Sequence, residues 1–137
     1  MTQDHTIRQA YINTLLDGGF TRLADKTTNP TEGYIVGGVT EPTTMDLHTD
    51  KLKEVSVLTV SEFEEFKELW NQYELQLDEY TSNLYKAGMG VGTWIHEGQI
   101  YFDLVQHLYN LDVATDIAKK RGEIAIYDCK NQKDILL

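Results

Sequence analysis

The sequence predicts an α+β fold: a mostly antiparallel sheet with an N-terminal helix, one long amphipathic acidic helix and a C-terminal ββαββ unit. Three observations carry this expectation. An aromatic stripe at helical spacing runs through the middle of the chain, with Phe63, Phe66, Trp70, Tyr73, Leu77 and Tyr80 recurring at steps of three and four. Apolar residues then alternate along "VGTWIHEGQIYFDL" and break at Glu97-Gly98, the pattern of a tight hairpin. Beyond it, "NLDVATDIAKKRG" and "EIAIYDCKNQKDILL" read as a short helix and two strands. With 137 residues, no internal repeat and no low-complexity linker, residues 1–137 are expected to form a single α+β domain.

In chain order, the first element is a helix from about Thr6 to Asp17. Ile7, Ala10, Tyr11 and Leu15 share one face, and Gly18-Gly19 stops it. "FTRLADKTTNPTEGYIVGG" reads as a strand, a turn through Asn29-Pro30 and a second strand at Tyr34 to Val36, together a hairpin or a curved edge. Two more strands are expected at Thr44 to Leu47 and at Val55 to Thr59. Ser61 with Glu64 then forms a capping box, in which hydroxyl and carboxylate satisfy backbone donors at the start of the long helix. Its aromatic stripe must be buried, either as intramolecular core or as a coiled-coil seam between two copies. The short C-terminal helix is capped by Asn110 or Asp112 and stopped by Gly122, and a polar turn at Lys130 to Gln132 separates the last two strands.

Composition narrows the function classes. With 41% hydrophobic and 25% charged residues and only two prolines, the chain has the means to build a core. Its lone cysteine, Cys129, rules out an internal disulfide and points to a reducing compartment. "MTQDHTIRQA" lacks the basic start and apolar core of a signal peptide, and no apolar run approaches a membrane span, so a cytoplasmic location in a host cell is expected. A net charge of −10 opposes direct binding to nucleic acid or to an anionic membrane. "KKR" at Lys119 to Arg121 is accounted for as the basic end of a helix. By segment the net charge is −3 over residues 1–60, −6 over 61–80 and −1 over 81–137, so more than half of the excess sits in about a seventh of the chain.

Catalytic chemistry finds little support. Glycines 88, 90 and 92 in "KAGMGVGTW" suggest a phosphate loop, but a helix precedes them and a strand follows, the reverse of what phosphate binding at a helix N-terminus needs. They read as a flexible linker. His96, Glu97, Asp103 and His107 are metal-capable, and His96 could face Asp103 across the hairpin, yet no ligand motif joins them. His5 and His48 are less informative still. Ser61 serves as a cap, and no helix N-terminus follows Cys129 to activate it. No catalytic residue, cofactor or metal is therefore expected.

What remains is "SEFEEFKELWNQYELQLDEY", with seven acids and one lysine. Glu64, Glu65, Glu68, Asp78 and Glu79 fall opposite the aromatic stripe. Glu74, Asp78 and Glu79 lie toward the helix end that disfavours anions, and Glu64 with Glu68 and Glu74 with Asp78 are like-charge i,i+4 pairs. A solvated face usually mixes signs. Seven carboxylates over about 18 steps of about 1.5 Å give one negative charge per roughly 4 Å, near the roughly 3.4 Å phosphate spacing of a DNA strand.

The runs "LLDGGFT", "NPTEGYIVGG", "GTWIHEGQIYFDL" and "AKKRGEIAIYDCKNQKDI" resemble small accessory proteins of bacteriophages and related mobile elements. The resemblance spans most of the chain and brings no catalytic motif. It implies a setting in which small acidic proteins inhibit host defence. The expected function is a non-enzymatic inhibitor of the anti-CRISPR or anti-restriction class. It would bind a basic, nucleic-acid-handling host protein such as a nuclease, as a monomer or homodimer, through Glu64, Glu65, Glu68, Glu74, Asp78 and Glu79 acting as a nucleic-acid mimic. Two alternatives stand beside it: an interaction module using the β-rich C-terminal surface with Trp94 and Tyr101 as anchors, and a small enzyme using the His96 region.

Overall fold

The structure, a computed structural model, describes residues 3–47, 60–83 and 88–137. The expected strand at Val55 to Thr59 lies outside the described residues, as do the side chains of Ser61 and Tyr80. Among the described residues the elements run α1 (Gln3–Asp17), β1 (Gly19–Leu23), β2 (Tyr34–Val36), β3 (Thr43–Asp46), α2 (Val60–Asn83), β4 (Met89–His96), β5 (Gln99–Leu108), α3 (Leu111–Lys120), β6 (Ala125–Asp128) and β7 (Lys133–Leu136). This is the α+β architecture expected, with the N-terminal helix, the long helix and the strand-helix-strand region at the C-terminal end.

Local chemistry sets the element ends. Gly18 stops α1 at φ +85, donating its N–H to Thr14 O at 2.9 Å. Glu97 and Gly98, at φ 49 and 78, form the two-residue turn that pairs His96 with Gln99, the positive-φ geometry that matches strand twist. Asn110 caps α3 by accepting the N–H of Val113 at 3.0 Å, which selects Asn110 over Asp112. The long helix begins at Val60, so Ser61 lies within the helical span and not before it.

All strand pairs are antiparallel, in the order β1-β4-β5-β2-β6-β7, and β5 is the axis. On its outer side β3 pairs with residues Gln99 to Phe102 and β2 with Gln106 to Leu108, so the β2–β3 connection passes Asp103, Leu104 and Val105. Of the two readings offered for β1 and β2, a hairpin or a curved edge, this corrects the hairpin. β1 pairs instead with β4, far along the chain, and the segment after it turns back only as far as an isolated bridge at Arg22 and Thr28, flanked by Leu23 N–H donating to Thr27 O and Asn29 N–H to Thr21 O, both at 2.8 Å. The glycines expected in a linker are corrected too, since Gly90 and Gly92 lie inside β4. A side chain on Gly90 would meet Arg22 O at 2.6 Å, and one on Gly92 would meet Val105 at 2.9 Å, so bare backbone is needed for the neighbours to close in.

The helices cover one face of the sheet. Ile7, Ala10, Tyr11 and Leu15 of α1 and Phe66, Trp70, Tyr73 and Leu77 of α2 form one cluster with Phe20, Met45, Met89, Val91, Ile100, Phe102 and Leu104. Ala114 and Ala118 of α3 pack with Val36 and Ile126, joined by Leu108, which shares the parity of Phe102 and Leu104 along β5. Four members of the α2 stripe, Phe66, Trp70, Tyr73 and Leu77, are thus intramolecular core, with Phe63 packed against them. Phe66 stacks near Trp70 at 5.9 Å and meets Phe102 at 5.0 Å. A coiled-coil seam is not what buries these four.

Candidate functional site

Burying the stripe turns the opposite face of α2 outward and fixes it there. Glu64, Glu65, Glu68, Asp78 and Glu79 are exposed, as are Asn71, Gln72 and Leu75. Glu64 has a partner in Lys67, whose Nζ lies 3.5 Å from Oε2. From Glu68 to Asp78 the helix rises about 15 Å, so the exposed acids form a trio and a pair on either side of Leu75, itself 67% exposed.

Glu74 departs from the expected set. Its carboxylate turns inward and pairs with the Arg22 guanidinium, and it accepts the indole N–H of Trp70 at 2.9 Å. The cause is Arg22, which alternation on β1 places on the helix-facing side with 8% exposure. A cation buried there needs a nearby carboxylate, and Glu74 supplies it. Glu62 is withdrawn as well, at 2% exposure. The even spacing of seven carboxylates is therefore replaced by two separated groups.

The hairpin does not assemble the metal-capable residues. Asp103 stands opposite Gly92 and His96 opposite Gln99, so the two are offset by four residues, about 13 Å along the strand, and do not face each other. His96 lies 3.6 Å from Glu97 and edge-on to Tyr101. Among the described residues no three His, Cys, Asp or Glu side chains are grouped to hold a metal ion. Cys129 is buried, and burial, with the Asp128 charge adding, pushes its thiol up to about 11, the opposite of an activated nucleophile.

On the sheet face away from the helices, Trp94 and Tyr101 pair across β4 and β5 with their rings 5.0 Å apart and 14° from parallel. Trp94 is 36% exposed. Farther along that face is a cavity of about 530 Å³ lined by Leu23, Asp25, Glu32, His107 and Tyr109 among others. His107 Nε2 lies 2.6 Å from Glu32 O and its ring sits edge-on to Tyr109, so the imidazole is engaged within the wall.

Two features were not anticipated from sequence: the Arg22–Glu74 pair and the buried carboxyl of Asp103. The first joins residues 52 positions apart and has no local signature. The second had one, an acid in the middle of the apolar strand "IYFDLV". Burial lifts Asp103 to about 7, against the pull of the Gly38 N–H and with the Glu123 charge adding to the rise.

No family model, curated protein or solved structure matches the chain. Among the described residues no helix is long and apolar enough to cross a membrane.

Proposed function

We propose that the chain is a non-enzymatic protein ligand of the phage type, acting in the host cytoplasm against a basic, nucleic-acid-handling protein such as a CRISPR or restriction nuclease. The observation that carries this reading is the common exposure of Glu64, Glu65, Glu68, Asp78 and Glu79 on one helix face whose reverse packs into the core. A surface held in place loses little freedom on binding, and like charges on it steer a basic partner to the encounter. The two acidic groups would meet two basic patches about 15 Å apart, with Leu75 between them. This is a coarser imitation of a phosphate strand than seven even charges would be.

The test is capture of partners from a bacterial lysate at low salt, followed by a salt gradient. Basic nucleic-acid-binding proteins should bind and should elute as ionic strength rises. Recovery of acidic or membrane proteins alone would overturn the proposal. A second reading rests on the exposed Trp94–Tyr101 stack, which suits an apolar hot spot of a general interaction module. Its partners would survive the salt gradient and be lost in Trp94→Ala.

A further inference from the structure

Asp103 sits where β5 changes neighbours, and it is 1% exposed. Its Oδ2 accepts the backbone N–H of Gly38 at 2.8 Å, whereas its Oδ1 is buried with no hydrogen-bond partner among the described residues. The β2–β3 connection runs directly over this carboxyl. A β-carbon on Gly37 would lie 2.5 Å from Asp103 Oδ2 and 3.0 Å from Glu123 Oε1, so the two oxygens are no farther apart than the sum of those distances. One on Gly38 would lie 2.9 Å from the Glu123 carboxyl.

Arg121, at the end of α3, closes the junction. Its Nη1 donates to Gly37 O at 3.2 Å and its Nη2 to Gln106 Oε1 at 2.9 Å. The same connection reaches α2, since the Tyr73 hydroxyl donates to Glu41 O at 3.0 Å and lies 2.9 Å from Thr43 Oγ1. One buried carboxyl thus touches the segment that ties β2, β3, α2 and α3 together.

Among the described residues the charged groups that act on Asp103 are Glu123 and Arg121 from the end of α3, and its own charge is felt by Tyr73 of α2. β4 sets only Gly92 opposite it, and the connection offers Gly37 and Gly38. Burying a carboxylate here is costly and the Glu123 carboxylate beside it makes ionisation costlier, outweighing the Gly38 and Leu104 N–H groups and the Arg121 charge, whereas the neutral acid avoids that charge. Glu123 is also raised, by burial, with Arg121 opposing.

We propose that Asp103 is a proton-operated latch: with its proton it lets the β2–β3 connection close on β5 and the end of α3, and without it that junction loosens. The folded group titrates at about 7 against an ordinary 3.8, so the folded chain holds the extra proton between those values. The stabilisation is therefore fully present below 3.8, falls as pH rises and is gone above about 7.

Asp103→Asn keeps the shape and removes the ionisation. The experiment measures unfolding midpoint and Gly38 amide protection against pH for the wild type, Asp103→Asn and Glu123→Gln. Relative to Asp103→Asn, the wild type should lose stability from about pH 4 to about pH 7 and then level off, and Gly38 protection should fall by up to about tenfold per pH unit over that window. Glu123→Gln removes a charge that raises Asp103, so the window should end at lower pH. A carbon-13 titration of the wild-type Asp103 carboxyl reads the same event directly and decides the matter even if Asp103→Asn does not fold. Parallel profiles for wild type and Asp103→Asn, an Asp103 carboxyl titrating near 3.8, or a Glu123→Gln window that does not move would each overturn the latch.

Discussion

At the scale of single residues, the acids of α2 divide by what they touch. Glu74 is held by Arg22 and by the Trp70 indole, so it is part of the core's polar lining. Glu74→Gln leaves a guanidinium that is 8% exposed without its counter-charge, and denaturant unfolding should show a loss of about 3 kcal/mol. Glu68→Gln, on the exposed face, should stay within about 0.5 kcal/mol of the wild type in the same assay. Equal effects of the two would contradict the division. Sequence spacing marks Glu74 as half of a like-charge i,i+4 pair with Asp78 and is silent about Arg22 on β1. Cys129 is the other residue whose environment decides its behaviour. With a buried thiol raised to about 11, it should resist a thiol reagent at pH 8 in the folded chain and react once denaturant is added. Rapid labelling of the native protein would contradict the burial.

At the scale of elements, the parts that were legible in the sequence are those set by neighbours in the chain. Gly18 ends α1, Glu97-Gly98 turns β4 into β5, and Asn110 starts α3, each through a bond or dihedral made within a few residues. Asn110→Ala should accordingly cost about 1 kcal/mol by thermal or denaturant unfolding, and Asp112→Ala distinctly less, because Asn110 alone accepts the Val113 N–H. The aromatic stripe was equally legible as a buried face, but its partner was not, since periodicity says that a face is covered and not by what. The structure answers with α1 and the sheet, and Trp70→Ala should cost about 3–5 kcal/mol in unfolding stability. The strand glycines are hidden from the sequence for a related reason. Gly90 and Gly92 look like a linker until Arg22 O and Val105 are brought against them by strand pairing that no local pattern encodes.

At the scale of the whole molecule, the sheet order places strands from both ends of the chain around β5, and this order was the least legible feature. Antiparallel neighbours far apart in sequence are chosen by the sum of face patterns and packing, not by any one turn. The charge pattern has the same character. An excess of acid on residues 61–80 was plain, yet only the fold shows which carboxylates remain outside: Glu64, Glu65, Glu68, Asp78 and Glu79. In the proposed function these five form the contact surface for a basic partner. The triple charge reversal Glu65→Lys, Glu68→Lys and Glu79→Lys tests this most directly, because all three side chains are exposed and the core stripe is untouched. The triple-variant bait is compared with the wild type for low-salt capture of basic nucleic-acid-binding proteins, with circular dichroism and unfolding run alongside. The account predicts an unchanged or slightly raised unfolding midpoint, because like-charge crowding is relieved and Glu79→Lys sets a cation near the helix C-terminus, together with a loss of several kcal/mol in partner binding. A folded triple variant that retains the same partners with the same affinity would contradict it.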